Sequence, residues 1–306
     1  MGKRFPFVYR LAVESLRQTH PDWRITVHYS DPPNNEDWKA LARKAEMRPL
    51  DDKALLEALP SSLAGVADVY RGIADGYPAG RSNVLRYLIL LREGGIYIDF
   101  DTLTLRSFEP LTQGEGFIGE ETVFRSDDDR VSGKAGLELL PYGTMFGLSY
   151  GLSYANTRWF RNRRTLNKVD GLIRKGWSAR KLNNAVLGAS ANHPFFASAL
   201  ARIPQIDPKI RFALGPMLMN QVWDANGGQG ITRLNEKAFY VIPPSQTFRF
   251  FQGPAPVLPP DVFTLHWCSS NHKEWAAKLN PKSLVHLPKP LSLYPKLALE
   301  VIERGI

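Results

Sequence analysis

Two carboxylates one residue apart, Asp99 and Asp101, close the short run Gly94-Gly95-Ile96-Tyr97-Ile98-Asp99-Phe100-Asp101. Successive strand residues alternate faces, so this spacing predicts Asp99 and Asp101 on one side, with Tyr97 one step earlier on the same side. Two hard oxygen ligands at the carboxyl end of a strand suit Mg²⁺ or Mn²⁺ carrying a substrate diphosphate. Folding alone does not ask for them, because like charges beside an apolar strand cost stability unless a cation or a partner neutralises them.

The elements that must position this pair are legible around it. A helix is predicted over 81–93, with Val84, Leu85, Leu88, Ile89, Leu90 and Leu91 making it apolar around most of its circumference, so that it should be buried. Asn83, Arg86 and Tyr87 stand at i, i+3 and i+4, which gives that buried helix one polar face. Gly94-Gly95 ends it and lets the chain turn tightly into a strand over 96–100. Further helices are predicted over 5–19, 36–44 and 51–59, near 165–175, and over 195–203 and 217–223. Strands are predicted over 23–29, 116–119, 183–189, 239–244 and 263–267. Residues 61–80 read as irregular, and 126–165 as long loops with short strands. Helices alternating with short strands predict an α/β fold, a three-layer sandwich with a mostly parallel central sheet and helical and loop insertions. Ligands of such sheets bind beyond the carboxyl ends of the strands. With no internal repeat and no linker, 1–306 reads as a single domain, its core over about 5–275 and a basic extension over 276–306.

Hydrophobic residues make up 43% of the 306 residues and charged residues 23%, which supplies a core and excludes disorder as the default. The lone Cys268 excludes an internal disulfide framework and a Cys-based zinc cluster, and fits a reducing compartment. No apolar run approaches the roughly 18 residues that span a bilayer. The opening residues are a poor secretory signal, interrupted by Pro6, Tyr9 and Arg10, and Pro6 does not suit N-myristoylation. The expected location is the cytoplasm. The net charge of +9 implies an acidic partner. Cations concentrate over 158–181 and, as Lys273, Lys278, Lys282, Lys289 and Lys296, near the end. Part of this is solvated surface; for the rest an anionic membrane surface, on the inner face, is preferred over nucleic acid, since no nucleic-acid module is recognisable.

With Ser82-Asn83-Val84-Leu85-Arg86-Tyr87 followed by the double glycine and the paired carboxylates, the chain resembles the DXD-motif glycosyltransferases. The likeness is to the family-32-like group related to clostridial toxin catalytic domains and yeast initiating mannosyltransferases. Weaker likenesses follow in Asn183-Asn184 through His193-Pro194-Phe195-Phe196, in Leu214-Gly215-Pro216, and in Leu265-His266-Trp267 through Trp275. The resemblance implies a GT-A-like fold and a retaining, metal-dependent transfer from a UDP- or GDP-sugar to a lipid-linked glycan, capsular polymer or protein acceptor. It implies Asp101 as a direct Mn²⁺ ligand, with Asp99 on ribose and sugar hydroxyls or reaching the metal through water. Arg86 and Asn83 would hold the donor sugar, Tyr97 would line the pocket, and Asn184 would stand near the anomeric carbon. His266 would complete the metal site, with Ser269, Ser270, Lys273 and Trp275 as diphosphate contacts.

Cleaving a glycosyl–diphosphate bond develops negative charge on the leaving group, which a divalent cation and a lysine stabilise without proton transfer. Two departures stand out. Asn83 replaces the family's Asp, keeping an acceptor oxygen but losing charge. Family members also begin with a strand that holds the nucleotide base, and this chain opens on the helix after it, so the start lies upstream or the base pocket is built differently. These departures motivate an alternative, a sugar-nucleotide binder without turnover. A two-metal nucleotidyl- or phosphotransferase would require a further acidic ligand on a neighbouring strand. His266 beside Trp267 also fits a core histidine, and Asn184 a strand-end cap. His193-Pro194 reads as helix-start chemistry, Glu120-Glu121 and Asp127-Asp128-Asp129 read as solvated loops, and His20, His28, His272 and His286 have no metal-ligand spacing.

Overall fold

A computed structural model describes residues 4–124, 139–160, 162–210, 212–287 and 290–305, with 139–143 described by backbone alone. Asp127-Asp128-Asp129, Arg161 and Lys289 lie outside the described residues. The helices are α1 (Phe7–Thr19), α2 (Glu36–Ala42), α3 (Asp52–Glu57), α4 (Ala64–Gly72), α5 (Pro78–Glu93), α6 (Leu139–Arg158), α7 (Arg164–Trp177), α8 (Pro194–Arg202), α9 (Leu218–Asn226), α10 (Lys273–Lys278), α11 (Pro281–Val285) and α12 (Leu293–Arg304). The strands are β1 (Thr26–Tyr29), β2 (Glu46–Pro49), β3 (Gly95–Ile98), β4 (Thr102–Thr104), β5 (Gly116–Phe124), β6 (Ser178–Ala189), β7 (Ile231–Leu234) and β8 (Thr264–His266).

Among the described residues these strands form three small sheets: β1–β2, the order β3–β6–β5–β7, and β4–β8. The fold is therefore mixed α/β, and the expected mostly parallel central sheet is corrected. In the four-stranded sheet β3/β6 and β5/β6 are antiparallel and only β5/β7 is parallel. Helix–strand alternation along the chain cannot show which strands become neighbours, and the long β6 inserts between β3 and β5.

Sequence chemistry accounts for α5 and for the turn that ends it. Pro78 occupies its first turn, where no intrahelical N–H is needed. Its apolar residues Val84, Leu88 and Leu90 are buried with Phe195 and Phe196 of α8 and Leu218 and Val222 of α9. Gly94 at φ 66° stops it, its N–H donating to the Leu90 carbonyl at 2.9 Å, and Gly95 follows at φ 98°. A side chain at Gly94 would meet the Ala191 backbone nitrogen at 2.6 Å, so glycine is required twice over.

Several sequence expectations are corrected. Residues 61–80 contain α4, because Val66, Ala67 and Tyr70 pack into the same core as α5. The 126–165 stretch contains α6, which glycine, serine and tyrosine disguise as loop. The expected strand 239–244 is an irregular buried segment. Its neighbourhood supplies carbonyls to β8, with the Phe263 N–H donating to Ala238 O at 2.9 Å and the His266 N–H to Phe239 O at 3.2 Å. Beyond residue 276, Tyr294, Leu297, Ala298 and Val301 of α12 are buried with Phe7, Val8 and Leu11 of α1. Glu120 and Glu121 lie buried on β5, not in a solvated loop, where Arg233 pairs with Glu120.

Candidate active site

Two strand pairings bring the chemistry together. Along β3/β6, Ile98 opposes Val186, and the ladder runs on as the Asp99 N–H donates to the Ala185 carbonyl at 2.9 Å. Along β4/β8, Thr102 opposes His266, and the Trp267 N–H donates to the Asp101 carbonyl at 2.9 Å. The residue pair 99 and 101 thus sits between two ladders, one delivering Asn184 and the other His266. The strand ends at Ile98, so Asp101 arrives through a turn at Phe100 and not by alternation; Tyr97 and Asp99 keep the shared side.

The two carboxylates have different surroundings. Asp99 Oδ1 accepts from Arg86 Nη2 at 3.0 Å and from the Tyr97 hydroxyl, while the Arg86 guanidinium lies over the Tyr97 ring, 4.2 Å from its centroid. Burial raises the Asp99 carboxyl above the usual range, and Arg86 offsets only part of that. Asp101 Oδ2 accepts the Ser269 N–H at 2.8 Å, and its Oδ1 stands 3.3 Å from His266 Nε2. Burial works against ionisation here too, but His266 and Ser269 outweigh it and hold Asp101 well below the ordinary carboxylate range. For His266, burial opposes the proton, while Cys268 and Asp101 on either side raise it well above the ordinary imidazole value.

Asp99, Asp101 and His266 each offer one ligand atom, all within 4.8 Å of one another. Two carboxylate oxygens and an imidazole nitrogen fit Mn²⁺ or Mg²⁺, and a cation between Asp101 and His266 would take the place of the proton they share. A second set within the same spacing, Glu121, His266 and Cys268, was missed because Glu121 comes from β5, far in sequence from the other two. Glu121 Oε2 accepts from Asn183 Nδ2 at 2.7 Å, and Cys268 Sγ stands 3.6 Å from His266 Nδ1, so the imidazole is held from both sides.

Behind the carboxylates, the polar face of α5 meets β6. Asn184 Nδ2 donates to Asn83 Oδ1 and to the Tyr87 hydroxyl, both at 2.9 Å, and the Asn184 carbonyl accepts from Arg86. Gly215 closes the cluster; a Cβ there would lie 3.2 Å from Asn83 Nδ2. Ser269 and Ser270 belong to the turn gripping Asp101. Lys273 is exposed at the start of α10, and among the described residues no hydrogen bond or ion pair joins it to the carboxylates. Trp275 stacks on Phe251, with ring centroids 6.0 Å apart. Tyr9 was missed by sequence reasoning: its ring stacks on Phe100 and its hydroxyl bonds Ser269, from a helix far upstream that carries no motif. His193 Nδ1 accepts the Phe195 N–H at 3.2 Å, which is the helix-start role expected. His20 accepts the Phe108 N–H at 2.7 Å through Nε2 and contacts the Leu16 carbonyl through Nδ1, so both ring nitrogens serve the fold.

A cavity of about 620 Å³ lies elsewhere, at the amino ends of β1 and β2, lined by Arg17, Arg24, Arg43 and Lys44. Glu46 is the one acid in that lining and is paired with Arg48, so the Asp99–Asp101 site is the candidate for metal chemistry.

Residues 6–118, spanning α1 through the start of β5 and including the carboxylate pair, match the family model described as the glycosyltransferase sugar-binding region containing the DXD motif. The matched stretch is 113 of the 306 residues. Among solved structures, the chain is similar to one titled PaToxG Glycosyltransferase, at 17% identity over 74% of this chain and 65% of that one, with a TM-score of 0.39. It is similar to the UDP-bound glycosyltransferase domain from the YGT toxin at 11% identity, over 75% of this chain and 76% of that one, with a TM-score of 0.40. The ligand-free YGT domain gives 14% identity over 66% and 56%, with a TM-score of 0.30. The chain thus spans just under two thirds of the PaToxG chain. No curated protein matches. The likeness to the family model is confined to residues 6–118, where the carboxylates and the α5 polar face lie together; His266 and Asn184 come from outside that stretch.

Proposed function

We propose that this chain is a retaining, Mn²⁺- or Mg²⁺-dependent glycosyltransferase, a single catalytic domain on a GT-A-like scaffold, that moves a hexose from a nucleoside diphosphate sugar to a glycan, lipid-linked or protein acceptor. The observation that carries this reading is the meeting of Asp99, Asp101 and His266 within 4.8 Å beside a buried arginine. When bound, the cation supplies charge neutralisation on the departing diphosphate. Asp101, held ionised, and His266 would ligate it. Arg86, fixed by Asp99 and Tyr97, would present its guanidinium to the donor, and Asn83 and Asn184 would hydrogen-bond sugar hydroxyls. The backbone turn at 269–271 would lie against the diphosphate, with Lys273 following it.

The non-turnover alternative draws on Asn83 and on the Asp99 oxygen already committed to Arg86 and Tyr97. Glu121 is the further acidic group that two-metal chemistry would require, but it is engaged by Asn183. Thermal stabilisation by UDP- and GDP-sugars, with and without Mn²⁺, tests the reading. A ligand at about 100 times its dissociation constant adds about 2.7 kcal/mol. Asp101→Asn should remove the metal-dependent part and leave the fold intact; an unchanged shift refutes the metal role. Slow release of UDP or GDP without acceptor is expected of the enzyme, and its absence favours the binder.

A further inference from the structure

The hairpin of α6 and α7 is built inside out. Ser149, Ser153 and Asn156 of α6 are buried, and on α7 the buried residue is Asp170, at 2% exposure. Ser149, Asn156 and Asp170 find their partners within the protein. Ser149 Oγ donates to Asp170 Oδ1 at 2.6 Å, Gln246 Nε2 and Arg174 Nε donate to Asp170 Oδ2 at 2.7 and 3.0 Å, and Asn156 Nδ2 donates to Asn167 Oδ1 at 2.9 Å. Large apolar side chains are left at the surface of the same hairpin: Trp159 is 69% exposed and Leu172 70%, and Leu148 and Phe160 are exposed with them. A surface helix in water buries its apolar residues and exposes its polar ones, and large apolar side chains left at the surface beside cations mark an interaction face.

The charge pattern identifies the occupant. Between residues 144 and 177 the sequence holds seven Lys or Arg and a single acid, Asp170, which Arg174 already pairs. Arg163 lies over the Phe160 ring at 5.9 Å, so cation and aromatic face share one end of the hairpin. No described helix is long and apolar enough to cross a membrane, so such a face would lie on a bilayer and not span it. We infer that the hairpin seats on an anionic lipid surface. Trp159, Phe160 and Leu172 enter the boundary between headgroups and acyl chains, and Arg158, Arg163, Arg164, Lys168 and Lys175 meet lipid phosphates. A protein groove is the less suited partner, because tryptophans flanked by arginines match an interface that is apolar below and charged above. This inference does not depend on the donor chemistry.

Co-sedimentation of the full chain with vesicles tests it, using phosphatidylcholine alone or with about a third phosphatidylglycerol. Partitioning should be at least about tenfold stronger on the anionic vesicles, with tryptophan emission shifted to the blue. The triple variant Trp159→Ser, Phe160→Ser, Leu172→Ser should lose that partitioning at unchanged Tm and unchanged donor binding. Arg163→Glu with Arg164→Glu and Lys168→Glu should erase the preference for anionic lipid. Quenching of wild-type tryptophan emission by lipids brominated on the acyl chain needs no variant and should occur. Equal binding to both vesicle types, absence of quenching, or undiminished binding by the apolar triple variant overturns the inference. A wild-type dimer that the triple variant converts to monomer also overturns it, assigning the face to a second copy of the chain.

Discussion

Removing Arg86 should expose how strongly Asp99 depends on it. The guanidinium is buried, its Nη2 stands 3.0 Å from Asp99 Oδ1, and the Asp99 side chain keeps only 26% of its exposure. At that distance and an effective dielectric of about 20, the Coulomb attraction is about 5 kcal/mol, and breaking a buried pair by removing one partner costs about 3–5 kcal/mol. Residual solvent at Asp99 moves the expectation for Arg86→Met to about 3 kcal/mol at pH 7. The sign with pH follows from the carboxylate. Asp99 already has a folded-state pKa raised by burial, so its stabilising contribution is fully present below the unfolded pKa and is lost as pH rises through the folded one. Without Arg86 that folded pKa climbs further, so the variant is penalised most at neutral pH and recovers as acid protonates the carboxyl. Urea unfolding of wild type, Arg86→Met, Asp99→Asn and the double variant at pH 7 and at pH 5 measures this as a double-mutant cycle. A coupling energy under about 1 kcal/mol at pH 7, or one that does not shrink at pH 5, refutes the assigned pair.

Other expectations are as direct. Burial depresses His272 to about 4, against the Thr247 backbone bond that favours its proton, so folding loses stability as pH falls from the unfolded value near 6.5 toward 4. His272→Gln should flatten that acid limb by up to about 3 kcal/mol in urea unfolding, and an acid limb identical to wild type contradicts it. Gly215→Ala presses a methyl to 3.2 Å from Asn83 Nδ2 and 3.4 Å from Asn184 Nδ2, so titration should show donor-sugar affinity falling about tenfold or more while the cost in Tm stays small. Equal affinity would detach Asn83 and Asn184 from the donor. His266→Ala should weaken Mn²⁺-dependent stabilisation as Asp101→Asn does, and a retained metal shift in the alanine variant would assign His266 to the core alone.

Local sequence determined the unit at the centre of this protein. Apolar residues around α5, the Asn83-Arg86-Tyr87 spacing and the double glycine that ends the helix are effects of neighbours within a few residues and are found as read, whereas the strand stops at Ile98 and a turn, not alternation, brings Asp101 round. Tertiary structure decided what those groups touch. Asp101 meets His266 because β4 pairs with β8 from the far end of the chain, and Asp99 is held by a helix and a strand whose adjacency no periodicity records. The same limit hid α6: a helix with glycines at 147 and 151 has poor intrinsic propensity and forms because its Ser149 and Asn156 find partners on α7 and at Ser245. Side-chain types fix the available chemistry; which face they turn inward is settled by long-range packing, where burial and hydrogen bonding outweigh local preference.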